Sequence, residues 1–182
     1  MLSLLIMIVL IWNFYIGYSR GIILQSYYTL ASLLSLVIAS QFYKALADKI
    51  TLWVPYSNAV EGAKISFFTN VNIFELDKVY YAGVAFTFLY IGAYLVFRFL
   101  GLFLHFAPID NFDGQRLNLI SGSLSVLVTL TFFSLIFTAL ATVPISPVQR
   151  LLTGSSLATF LINHLPILHS ILKNLWVTNI LK

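Results

Sequence analysis

Three histidines, His105, His164 and His169, are the first residues in this chain with side chains suited to holding a metal or moving a proton. A helical zinc pair needs imidazoles at i and i+4, on one face, whereas His164 and His169 stand five apart with Pro166 between them. They read as surface or interfacial histidines, and no metal is expected. Asp110, Asp113 and Gly114 resemble the opening of a calcium loop, but the further spaced acids and the closing glutamate are missing. A solvated turn is the reading that fits those residues. The other acids sit singly and none falls inside an apolar run, so a carboxylate relay across a membrane lacks its parts. There is no glycine-rich phosphate loop, and with no cysteine there is no thiolate nucleophile, thiolate metal site or disulfide. The sequence predicts no enzyme and no cofactor.

What remains is polar chemistry inside apolar segments. Arg98 is the one ionisable residue within a long apolar run, where a charge at mid-bilayer costs about 2.5–3.5 kcal/mol. It stands a few residues from the end of that run, so snorkelling to the headgroups is favoured over a buried anion-binding or pairing role. Gln25, Thr29, Ser32 and Ser35 share one side of the second apolar segment, continued by Ala39. Thr131, Ser134, Thr138 and Thr142 make a similar stripe on the fourth. Such stripes line a solute path or let helices approach closely with hydrogen bonds between them, and packing is favoured here. Ser121, Gly122 and Ser125 are candidates for close helix contact. Gly17 and Gly21 have the small-xxx-small spacing but are assigned to a turn, where glycine serves backbone geometry.

The elements that position these residues are set by composition. Of 182 residues 60% are apolar, 16% aromatic and 9% charged, the last against about 25% in soluble proteins. Six acids and ten bases are too few to cover a water-soluble domain of this size, so the chain is expected to be an all-α integral membrane protein forming a single domain over 1–182. Four transmembrane helices are expected, over about 2–18, 22–46, 79–104 and 119–143, the first two forming a tight hairpin. The first run is retained and not cleaved, because no base precedes it and Trp12, Phe14 and Tyr15 fill its end.

A surface loop, 47–78, gathers Asp48, Lys49, Pro55, Ser57, Asn58, Glu61, Lys64, Asn70, Asn72, Glu75, Asp77 and Lys78. Its Trp53, Phe67, Phe68 and Phe74 lay it against the membrane as amphipathic interfacial structure. Pro144 and Pro147 are expected to end the fourth helix. The amphipathic tail, 144–182, carries a helix capped by Ser155 or Ser156 and a second opened by Pro166. Two arrangements stay open for it: lying in the interface with Trp176 at headgroup depth, or packing on the end of the bundle.

The charges disagree about orientation. Arg20, Arg98 and Arg116 stand on one side, and Lys44, Lys49, Lys64, Lys78, Arg150, Lys173 and Lys182 on the other. The count puts the termini in the cytoplasm, whereas Arg20, the sole basic flank of the first helix, puts the amino terminus outside. The bases are scattered, so no nucleic-acid-binding face is expected.

The turn Gly17-Tyr18-Ser19-Arg20-Gly21, then Ala39, Tyr43 and Leu46, then Pro108, Asn118 and Gly122, and finally Ser155, Ser156, Leu157 and Pro166 together resemble the colicin V production (CvpA) family, in particular its Gram-positive members. The chain departs from that pattern at Val126, where a second glycine is frequent, and at Ser19-Arg20, where a basic pair is frequent. The resemblance implies a multi-pass protein of the bacterial cytoplasmic membrane, tied to toxin or bacteriocin production or export and to envelope homeostasis, with no established enzymatic activity. Some relatives carry an extracytoplasmic serine protease domain after the fourth span, which implies an outside carboxyl terminus. The expected role is a scaffold or assembly factor with the lipid bilayer, envelope or export proteins, or further copies of itself as partners. The alternative is a small oligomeric channel or transporter lined by the Ser/Thr faces of spans two and four.

Overall fold

The computed structural model describes residues 1–56, 65–68, 71–106, 114–165 and 168–181. Its frame is four helices long and apolar enough to cross a membrane: α1 (Leu2–Arg20), α2 (Ile22–Ile50), α3 (Leu76–Leu100) and α4 (Gln115–Ala141). A 3-10 segment, Gly101–Phe106, continues α3 and contains His105. No strand occurs among the described residues. The expected loop residues Ser57, Asn58, Glu61, Lys64 and Asn70, the turn Pro108, Asp110, Asn111 and Asp113, and Pro166 and Lys182 lie outside the described residues.

Sequence-adjacent helices are not the main packing partners. α1 packs chiefly on α4, and α2 on α3, while α1 and α2 touch little beyond their shared end. The expected hairpin is joined by one residue: α1 runs unbroken through Gly17 to Arg20, and Gly21 alone leaves the helical region, at φ 86°. Only glycine takes that angle without a Cβ penalty, so Gly21 is the turn. Gly17 is inside the helix, which corrects its assignment as a turn residue.

The tail forms three short helices, α5 (Ser146–Thr153), α6 (Ser156–Asn163) and α7 (Leu168–Lys173), followed by a π-helical turn, Asn174–Thr178, and a last turn, Asn179–Leu181. Ser155 caps α6 by accepting from the Ala158 amide at 3.2 Å, as its position before the apolar run predicts. Pro147 does not end α4. That helix stops at Ala141, and Pro147 stands in the first turn of α5, where a missing amide hydrogen costs nothing. Of the interfacial helices expected in the long loop, the described residues contain the single turn Ile73–Glu75.

Two buried clusters hold the bundle at the end that carries the termini and the tail. Tyr43, Phe86, Tyr90, Leu172 and Trp176 center one, and Ile6, Phe137, Leu152 and Leu161 the other. Leu168, Leu172 and Trp176 thus plug the bundle end, and the headgroup-depth position for Trp176 gives way to packing. The tail keeps an apolar outer face as well, with Leu151, Phe160 and Ile171 exposed. Along α1, Leu4, Ile8, Ile11, Trp12 and Tyr15 are exposed too, as expected of side chains whose solvent is lipid.

Candidate functional site

The family-like turn is where two helices come closest. Gly17 and Gly122 are buried in the α1–α4 seam, where a Cβ on Gly17 would stand 2.4 Å from Ser125 Cβ and one on Gly122 would stand 2.7 Å from the Phe14 ring. The buried Ser121 hydroxyl donates to the Gly17 carbonyl and, at 2.9 Å, to the Gly21 carbonyl. The first of these oxygens belongs to the last turn of α1, and the second, which also accepts from the Gln25 amide at 3.2 Å, to the turn residue itself. One serine therefore ties down the end of a helix and its turn.

The two polar stripes do not meet across a lumen. Ser32 on α2 shares a 2.8 Å hydrogen bond with the Tyr90 hydroxyl on α3, and Ser134 on α4 donates at 3.0 Å to the Leu161 carbonyl in α6. Ser35 and Thr131 return their protons to carbonyls of their own helices, Ala31 and Leu127. Ser32, Ser35 and Ser134 are each at most 3% exposed and lie in helix seams, while Thr29 and Thr131 stay partly exposed. Gln25, also buried, accepts from Arg20 at 3.0 Å.

Thr138 is the exception. Its hydroxyl and the Trp176 indole N–H are buried with no hydrogen-bond partner among the described residues, and both line a cavity of about 100 Å³ beneath the tail. Phe67 and Phe68 of the long loop and Ile162 and Leu172 of the tail supply apolar walls, while His169 and Lys173 add polar groups. The His169 ring donates from Nδ1 to the Ile162 carbonyl at 2.7 Å, leaving Nε2 as its second polar atom. His164 stacks on Phe160 instead, so the two histidines diverge. This cavity is not legible from local sequence, because its walls come from three separate segments.

The long loop is fastened over the same end. Tyr56 donates to the Thr142 carbonyl at 3.1 Å, Tyr81 to the Val54 carbonyl at 3.0 Å, and the Ser66 amide to Gln149 Oε1 at 3.1 Å. Burial first, then the nearby Asp77 carboxylate and the phenols of Tyr80 and Tyr81, push the Tyr56 hydroxyl up to about 12. Leu52, Trp53 and Phe74 remain strongly exposed, in line with a loop that rests on a membrane surface.

At the opposite end, Arg98 does not stand alone. Its guanidinium carbon lies 5.6 Å from the centre of the Tyr28 ring, and that of Arg20 lies 4.6 Å from the same ring. Tyr28 is 3% exposed. The turn arginine and the span arginine, separate features in the sequence, thus share one aromatic ring. Arg98 also lines a groove of about 560 Å³ between α1 and α3, floored by α4.

The comparisons with known proteins agree with this architecture. The family described as colicin V production protein matches residues 2–166. A relative in Bacillus subtilis (strain 168), the uncharacterized transmembrane protein YshB, is 34% identical over 180 residues, covering 97% of this chain and 97% of its own. No solved structure matches the chain. With four membrane-length apolar helices and a match over nearly its whole length, the chain is a multi-pass membrane protein of the colicin V production family.

Proposed function

We propose that this protein is a non-enzymatic scaffold or assembly factor of the bacterial cytoplasmic membrane, serving toxin or bacteriocin production or export and the upkeep of the envelope. The observation that supports this reading is that buried hydroxyls of the polar stripes are engaged by the protein: Ser32 by Tyr90, Ser134 by the Leu161 carbonyl, and Ser35 by its own helix. A path for a hydrophilic solute needs those groups facing water. A scaffold needs a rigid body and contact surface, and both are supplied by the end of the bundle, where the pinned loop and tail present Leu52, Trp53, Phe74, Leu151 and Ile171 outward. The partners proposed are the lipid bilayer, envelope or export proteins, and further copies of the chain.

Photo-crosslinking from Trp53 and Leu151 positions in native membranes tests the scaffold, with reproducible protein neighbours as the expected result. Recovery of lipid alone from both positions would remove it. Solute flux in liposomes containing only the pure protein, abolished when Ser32, Ser35, Thr131 and Ser134 are changed to Leu, would instead establish the oligomeric channel.

A further inference from the structure

We infer that the arginine pair and the groove beside it form a binding site for one anionic phospholipid, with its phosphate between Arg20 and Arg98 and an acyl chain in the cleft between α1 and α3. The charges come first. Arg20 closes α1, Arg98 lies in the last turn of α3, and both guanidinium carbons lie within 5.6 Å of the Tyr28 ring centre. The ring's negative face attracts each of them, but the two cations repel one another. Among the described residues the one ion pair is Lys78 with Glu75, at the other end of the bundle, and no carboxylate is paired with either arginine. Arg20 makes one side-chain hydrogen bond, to neutral Gln25, at 3.0 Å. Two planar donors set together, with no acid beside them among the described residues, are matched by a phosphate oxyanion, which guanidinium groups bind in a bidentate manner.

The groove selects the source of that phosphate. It begins at Arg98 and continues past Leu95 and Ile91 on α3 to Val9 and Leu5 on α1, with Phe132 and Phe133 in its floor. Between Tyr90 and Arg98 the helix rises about 12 Å, comparable to the roughly 15 Å of hydrocarbon in one leaflet. Three polar groups in the walls are already bonded elsewhere, Asn13 donating to the Val9 carbonyl at 2.9 Å, Thr129 to the Ser125 carbonyl at 2.9 Å and Tyr90 sharing a bond with Ser32, while the Tyr94 hydroxyl stands beside Arg98. The lining therefore offers hydrocarbon contact below and charge above, in the order of a phospholipid's own parts. Free phosphate would use the arginines and leave the groove unused. A zwitterionic lipid would bring its own cation to a site that already holds two.

The test uses the full chain in a non-ionic detergent, with phosphatidylglycerol, phosphatidylcholine or inorganic phosphate added, read by melting temperature and by lipid retained in native mass spectrometry. Phosphatidylglycerol is expected to raise the melting temperature and remain bound, phosphatidylcholine to do so far less, and inorganic phosphate to leave the temperature unchanged. Arg20→Gln and Arg98→Gln are each expected to weaken phosphatidylglycerol retention about tenfold, the loss of one charge-assisted contact. Arg98→Lys, which keeps the charge and loses the planar fork, gives a smaller loss and guards against a Gln variant that does not fold. Leu95→Trp fills the groove with both arginines in place and is expected to lower retention as well. Lys49→Gln with Lys78→Gln removes two bases from the opposite end and leaves retention unchanged. Equal stabilisation by the two lipids, full reproduction of the shift by inorganic phosphate, or an equal loss in the lysine variant would each overturn the site.

Discussion

The two helix pairs are built by opposite means. Where α1 meets α4 near the Gly21 turn the side chains are small: Gly17, Ser121, Gly122 and Ser125 let the backbones approach, and a serine hydroxyl reaches carbonyls across the seam. Between α2 and α3 large rings fill the space, with Phe86 edge-on to both Tyr43 and Trp176 and with Tyr90 bonded to Ser32. In lipid there is little hydrophobic gain from joining two apolar helices, so association rests on dispersion contacts and on hydrogen bonds between helices. The first pair obtains them by closeness and the second by contact area. The two seams should accordingly fail in different ways, one by addition of atoms and the other by their removal.

Adding atoms to the close seam is expected to have the largest effect. Gly17→Leu places its Cβ 2.4 Å from Ser125 Cβ and 2.9 Å from the Ser121 carbonyl oxygen, neither of which swings aside, so α1 must leave α4. Overpacking alone costs about 1–3 kcal/mol, and loss of the Ser121 bonds adds about 1–2 more. The Ser3 and Ser155 hydroxyls are 2.8 Å apart, and the chain has no cysteine of its own. Ser3→Cys with Ser155→Cys should therefore form a disulfide in the parent and not in the Gly17→Leu background. Gly122→Ala meets the Phe14 ring, which can turn, and should keep that disulfide.

Removing atoms should damage the aromatic seam. Trp176→Ala is expected to cost about 3–5 kcal/mol in denaturant titration of the purified protein. Trp176→Phe should cost much less, because it retains a ring against Phe86 and deletes an indole N–H that has no partner. Similar losses from the two substitutions would show that the indole N–H is satisfied in the membrane. Tyr43→Phe loses a 2.7 Å bond to the Leu175 carbonyl and should cost about 1–2 kcal/mol, visible as faster proteolysis of the tail.

The smallest expected effect is set by pH. The Tyr56 hydroxyl is held at about 12 in the folded protein, above the value of about 10 for an unperturbed tyrosine. The folded state thus keeps this proton more firmly than the unfolded one. That contribution to stability is full below about pH 10 and fades as pH rises to about 12. A melting series from pH 8 to 12 should fall less steeply in Tyr56→Phe; an unchanged slope would mean that the loop latch does not titrate with folding.

The four spans and the tail's Ser155 cap were legible because apolar run length and capping chemistry are local properties. The pairing of α1 with α4 was not, since a helix with lipid on one side and protein on the other is apolar all round and carries no amphipathic stripe to read. Gly17 was mistaken for a turn residue because glycine is used both for positive φ and for close approach; its spacing to Gly21 fits either. Pro147 was mistaken for a helix stop because the same ring that breaks a helix interior is welcome in a first turn. The partners of the Ser/Thr stripes were not legible, because Ser134 finds the Leu161 carbonyl only once the tail folds back over α4, and Ser32 finds Tyr90 only once α2 and α3 pair. Arg20 and Arg98 were noted separately, and only the third dimension brings them onto Tyr28.

The α1–α4 seam also imposes an order on biosynthesis. Ser121 and the Gly17 carbonyl it engages are 104 residues apart, whereas Ser32 and Tyr90 are separated by 58. At about 5–20 residues per second, roughly 5–20 s pass between the emergence of α1 from the ribosome and that of its proper neighbour. During that interval α2 and α3 are free to meet, and α1 is joined to them through Gly21 and the Arg20 contacts to Gln25 and Tyr28. The first helix to be synthesised is thus among the last to be seated, and until α4 arrives its glycine face is open to any other helix in the membrane.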